Sequence, residues 1–141
     1  MTIFPLVPQK DIANKNICLI NREHGAALRV LLDDELQKAA IPVTEIIGYT
    51  NEVSTHLEGA LMVGSKVADI ALGFHAIADA FNLGFVPVAK VRCDLVVSGD
   101  MLDHPIVKVV LDTITSGAFR RELGALPGYE SSQTGKIIAS L

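Results

Sequence analysis

Residues 16–36, NICLINREHGAALRVLLDDEL, constrain the architecture more than any other stretch of the chain. The apolar run NICLIN reads as a short buried strand over Asn16–Asn21. The polar and small residues Arg22-Glu23-His24-Gly25 then turn the chain. Beyond them Leu28, Leu32 and Leu36 recur at every fourth position with Leu31 beside them, which is helical spacing over His24–Ala40. Pro42 ends that helix. A strand that feeds at once into an amphipathic helix is the building unit of an α/β sheet.

The same alternation continues downstream. Thr44–Tyr49 (TEIIGY) reads as a second strand, and Ser54 offers a helix cap with Glu58 one place past the capping-box position. Leu57, Ala60, Leu61 and Val67 make the next apolar stripe, Asp69–Gly73 a third strand, and His75–Asn82 a short helix. Phe85–Lys90 and Arg92–Val97 read as two more strands, with Pro87 confining the first to an edge or crossover. Pro105 opens a helix to about Thr115, and a second runs from Gly117 to Leu126 before Pro127-Gly128. The tail TGKIIASL ends extended or as a strand, and residues 1–15, with Pro5 and Pro8, form a lead-in segment. The expectation is an α/β fold, its sheet mostly parallel and flanked by helices.

At 141 residues the chain suits one domain with a real core. Half of its residues are hydrophobic, yet its longest uncharged run, Ala80–Ala89, is too short to cross a bilayer. No basic stretch followed by an apolar core marks a signal peptide at the N-terminus. Such apolarity points to a surface covered by a second copy, as in a homodimer, or by a partner domain. The net charge of −4, without a basic run, argues against nucleic-acid binding. Cys18 and Cys93 sit in apolar runs and read as buried, inert thiols, in keeping with a cytoplasmic protein.

Three strand-to-helix junctions carry small or polar residues: 21–27, 49–56 and 73–76. In open α/β sheets ligands bind beyond the carboxyl ends of the strands. A helix N-terminus there favours an anion through free N–H groups and its dipole. Gly25, Ala26 and Ala27 let a ligand approach the backbone, Arg22 or Arg29 adds charge, and the Ser54 and Thr55 hydroxyls can donate. The bland readings are that Ser54 only caps a helix and Arg29 only pairs with Asp33. Catalytic readings are weaker. His24, His56 and His75 show neither HxxxH nor HExxH spacing, and no GxSxG elbow or GxxxxGK[ST] phosphate loop occurs. The residues thus describe a binding fold with an anion site, and no enzyme, metal or cofactor.

The runs NREHGAALRVLLDDEL, IIGYTNEVSTHLEGALMVGSKVADIALGFHAIADAFNLGFVPVAKVRCDLVV and SGAFRRELGALPGYESSQTG resemble a known family. It is the periplasmic-binding-protein-like (type II), molybdate-binding-type domain, found fused to helix-turn-helix regulators and to molybdopterin-biosynthesis proteins. The resemblance runs from about Ile17 to Ile138. It implies a two-lobed clamshell that closes on an oxyanion, of which this chain carries the second lobe. Residues 16–141 would be that domain, with hinge strands at about 85–97 and C-terminal helices at 105–126, and the first lobe would be absent. Carried over by position, the ligand-binding residues are Asn21, Arg22, Gly25, Ala26, Ala27 and Arg29, with Thr55 and His56 at the second junction. Where many members have Gly-Ser-Gly-Thr-Arg, this chain has Gly25-Ala26-Ala27-Leu28-Arg29, so two hydroxyls are missing. Near the hinge, Val91 and Cys93 replace the usual acid and aromatic.

The expected function is therefore ligand sensing or solute binding for a small oxyanion, molybdate or tungstate first, within a molybdenum-related regulator or biosynthetic protein. A structural or dimerisation module with a decayed pocket is the alternative, and a small enzyme using His24 or His56 a lesser one.

Overall fold

The computed structural model describes residues 16–138. The lead-in segment and the last three residues of the tail lie outside them. Two compact units make up the chain, Met1–Lys90 and Val91–Leu141.

The first unit is built on β1 (Leu19–Arg22), which runs into α1 (Ala27–Lys38). Next come β2 (Glu52–Val53), α2 (His56–Gly64), β3 (Ile70–Ala71) and α3 (His75–Ala80). The three strands form one parallel sheet in the order β2-β1-β3. Asn21 pairs with Glu52 and Arg22 with Val53 on one side, while Leu19 and Ile20 pair with Ile70 and Ala71 on the other. Side chains alternate along β1, so Leu19 and Ile20 serve opposite faces. Leu19 joins Leu28, Leu32 and Leu36 of α1, with Ile46, Ile70 and Leu72, in one core. Ile20 joins Val53, Ala68 and Ala71 in a second, against Met62 and Val63 on the α2 side. Asn21 therefore shares the α1 face, and Arg22 the α2 face.

Several expectations need correction. Strand β1 starts three residues later than NICLIN suggests and ends on Arg22. Thr44–Tyr49 is no strand: Val43–Glu45 is a 3-10 turn, and Gly48 reverses the chain at φ +81. Isolated bonds still tie this segment to β1, since Leu19 N–H donates to the Ile47 carbonyl and Asn21 N–H to that of Asn51. A Cβ on Gly48 would collide with the Leu19 carbonyl. Gly48→Ala should therefore destabilise the fold by about 2 kcal/mol, from the positive φ and the clash together. Urea unfolding checks this, and an unchanged midpoint would contradict it.

Phe85–Lys90 and Arg92–Val97 form no strand, and neither do tail residues 134–138. A strand needs a neighbour for its N–H and C=O groups, and these segments have no ladder partner among the described residues. Thr55, not Ser54, caps α2. Cys93 is exposed and Cys18 only half-buried, and both are free thiols.

The second unit contains α4 (Pro105–Thr115) and α5 (Gly117–Ala125). Pro105 opens α4 as expected, and the His104 Nδ1 accepts from Ile106 N–H at 3.3 Å. Ser116 ends α4 and caps α5, its Oγ accepting from Phe119 N–H at 3.1 Å. None of its described residues is buried. No helix among the described residues is long and apolar enough to cross a membrane.

Candidate functional site

Strands β1 and β2 end side by side, at Arg22 and Val53, and each leads into a helix beyond the same edge of the sheet. After β1 the turn relies on Gly25, whose φ of +86 suits glycine and whose absent side chain leaves open space. Ala26 then occupies the cap position of α1 without a side-chain oxygen to offer. Consequently the Ala27 and Leu28 amides have no acceptor among the described residues.

The second junction is capped from within. Thr55 Oγ1 accepts from Glu58 N–H at 3.1 Å, and Glu58 Oε2 reaches back to the Ser54 and Thr55 amides at 2.9 and 3.0 Å. Glu58 thus sits three residues after the true cap, a complete capping box. The Thr55 hydroxyl keeps its own hydrogen for another acceptor.

The two arginines occupy opposite faces and differ in how well they are satisfied. Arg29, only 2% exposed, lies under α1. Its Nη1 donates to the Arg22 carbonyl at 3.0 Å and to Glu52 Oε1 at 3.1 Å. Its Nε stands 3.4 Å from Asp33 Oδ1, and the guanidinium lies 4.1 Å over the Tyr49 ring. Burial works against this charge, but Tyr49, Asp33 and Glu52 outweigh it and hold the pKa above the ordinary arginine value. Tyr49 in turn donates to Asp33 at 2.7 Å. Burial and that bond push its phenol up. Asn21, fully buried, donates to the Tyr49 carbonyl and accepts from Arg22 N–H. Asn21 and Arg29 hence belong to a clamp between α1 and the sheet.

Arg22 is different. Its side chain is 9% exposed and points to the α2 face, where Nη2 donates to the Ser54 carbonyl at 2.8 Å. Nε and Nη1 are buried and have no hydrogen-bond partner among the described residues, whereas on Arg29 that holds for Nε alone, which still has Asp33 at 3.4 Å. Glu23 approaches Nη2 at 4.0 Å, too far for a hydrogen bond. Beside Arg22 stands His56, half-buried, whose Nδ1 is buried without a partner and whose ring lies 4.1 Å from Phe74. Burial, with the Arg22 charge second, holds the His56 pKa below the ordinary histidine value, against a favourable Leu72 carbonyl.

Of the expected residues, the structure brings Arg22, Ser54, Thr55 and His56 together, with Gly25, Ala26 and Ala27 at the neighbouring turn. His24 is exposed and pairs with Glu52 at 2.9 Å, while His75 stacks on Phe85. The three histidines thus face different partners, and among the described residues no cluster of His, Cys, Asp and Glu is placed to hold a metal. Phe74 belongs to the third expected junction, whereas the Leu72 carbonyl was not anticipated. They follow β3, which stands across β1 from β2, where the strand order switches and such sheets take ligands.

A parallel sheet flanked by helices, with the Arg22 guanidinium at its carboxyl end, defines an α/β domain of the open-sheet kind. The chain belongs to the PBP superfamily domain family, whose model matches residues 6–115. It is 33% identical over 129 residues to "Uncharacterized protein YvgK" of Bacillus subtilis (strain 168), covering 92% of this chain and 41% of that protein. The chain thus spans less than half of YvgK. It is 36% identical over 113 residues to "Uncharacterized protein in ferredoxin 2Fe-2S gene 5'region" of Clostridium pasteurianum, covering 79% of this chain and 100% of the other. No solved structure matches the chain.

Proposed function

We propose that the chain is a ligand-sensing, solute-binding domain for a small oxyanion, held beyond the carboxyl ends of the parallel strands. The observation that carries this reading is the Arg22 guanidinium, nine-tenths buried with Nε and Nη1 unpaired. Leaving buried charged donors unsatisfied is costly, and an oxygen anion removes that cost. His56, the Thr55 hydroxyl and the Ala27 and Leu28 amides are the further donors, and Gly25 and Ala26 keep the approach clear. Asn21 and Arg29 position the Arg22 main chain, and the Ser54 carbonyl aims its side chain. Membership of a family of binding domains supports solute binding over catalysis.

Molybdate and tungstate are the first candidate ligands, with a cytoplasmic regulator or molybdopterin-biosynthesis protein as the setting. Isothermal titration with molybdate, tungstate, sulfate and phosphate tests the reading. Saturable heat with at least one of them is expected, and none with all four would overturn it.

A structural or dimerisation role is the second reading, favoured by the second unit. Val96 and Ile137 there are each 89% exposed, and Ile106 is 69% exposed. Sedimentation would then show a dimer whose mass and stability no oxyanion alters.

A further inference from the structure

His56 opens α2, its Nδ1 buried without a hydrogen-bond partner among the described residues, next to the Arg22 guanidinium, whose Nε and Nη1 also lack one. Two like-signed groups so placed disfavour each other's charge. Without a neighbouring anion the neutral imidazole is therefore the favoured form. A bound anion reverses the balance, because a negative charge next to the ring stabilises imidazolium. It also gives Nδ1–H an acceptor.

Most other charges nearby are already engaged; the exception is Glu23, which follows β1, is half-exposed and stands 4.0 Å from Arg22 Nη2. On β2, Glu52 is engaged by Arg29 and His24. On α2 itself, Glu58 is bound to the Ser54 and Thr55 amides. Asp69, just before β3, accepts from the Cys18 amide. On α3, His75 is stacked on Phe85, and Asp79 sits one turn further along the helix. Arg22, from β1, is the side-chain charge that acts on the ring.

We infer that the site loads an oxyanion together with a proton, His56 accepting the proton as the anion settles against Arg22. This inference rests on the anion reading and adds a stoichiometry and a selectivity to it. For an anion that carries no proton of its own, such as sulfate, the proton must come from solvent onto His56, so binding tightens as the pH falls. The sign follows from linkage. The bound state has the higher His56 pKa, so protons are taken up on binding between the two pKa values, and acid favours the complex. An anion that brings its own O–H can donate to Nδ1 of the neutral ring when that nitrogen bears the lone pair, and depends less on solvent protons.

The test uses the unaltered chain and sulfate, whose charge is constant across the range. Titrations at about pH 5.5 and about pH 8, in buffers of different ionisation enthalpy, read affinity and proton uptake together. We expect sulfate to bind about three- to tenfold more tightly at the lower pH, with net proton uptake. In parallel, the NMR titration of the His56 ring should give a pKa below about 6.5 without sulfate and a higher one with it. His56→Gln should bind sulfate more weakly, with no difference between the two pH values. Sulfate binding with no proton uptake and an unmoved His56 titration would overturn the inference and leave the anion site standing. If sulfate, phosphate and molybdate all fail to bind at either pH, the anion site itself falls, and the proton coupling with it.

Discussion

Arg22→Met is expected to abolish oxyanion binding while leaving the chain folded and more stable than the wild type. The two effects share one cause. A guanidinium buried with Nε and Nη1 unpaired burdens the empty protein, and an apolar side chain of similar length removes that burden. The gain should be roughly 1–3 kcal/mol, read as a raised midpoint in denaturant. Affinity should fall by about 100-fold or more, as when one partner of a buried charge pair is removed. Gain of stability with loss of function is common where a site is held in a costly state. Unchanged affinity would place the anion elsewhere. A less stable variant would mean that Nε and Nη1 are satisfied within the fold.

Arg29→Met is expected to do the opposite, weakening the fold at a residue that looked equally suited to a ligand. The substitution strips Glu52 and Asp33 of their buried cation, removes the bond to the Arg22 carbonyl and leaves the Tyr49 ring without its cap. Breaking a fully buried pair costs about 3–5 kcal/mol, but both carboxylates keep some contact with water, so about 3 kcal/mol is the expected loss. For a chain of this size that corresponds to roughly 10 °C in Tm, measurable by circular dichroism. A change of less than about 1 kcal/mol would show the clamp to be ornamental.

The contrast between the two arginines marks the limit of what could be read from the chain beforehand. The α1 stripe of Leu28, Leu32 and Leu36 was plain because helical period is a local property, and all three are buried. The parallel α/β class followed from alternation, and the anion-friendly junctions from glycine and polar residues at strand ends. Whether Arg22 or Arg29 is the arginine left with two unpaired donors depends on which side of the sheet each reaches. That is set by the parity of β1 and by the long-range partners Glu52 and Ser54, which no local pattern reveals. TEIIGY misled because Ile46 and Ile47 have strand propensity, whereas Gly48 has no room for a Cβ beneath the Leu19 carbonyl. Apolar sequence in residues 85–97 likewise invited strands, but a ladder requires a neighbour as well as propensity. The capping box was missed by one residue, since Ser54 and Thr55 are both good caps and only Thr55 lies three before Glu58.

The central position of β1 has a consequence for how such a domain can change over time. Its four residues alternate between two cores, so the Asn21 clamp and the Arg22 side chain are written on a single reading frame. A one-residue slip or insertion within Leu19–Arg22 would turn Arg22 toward Tyr49 and Asn21 toward His56, breaking the contacts of both faces in one event. Substitutions can alter either face separately, but no change of length in this strand can. Indels in this region should therefore be tolerated only after Arg22, in the turn at Glu23-His24-Gly25, where the chain is exposed.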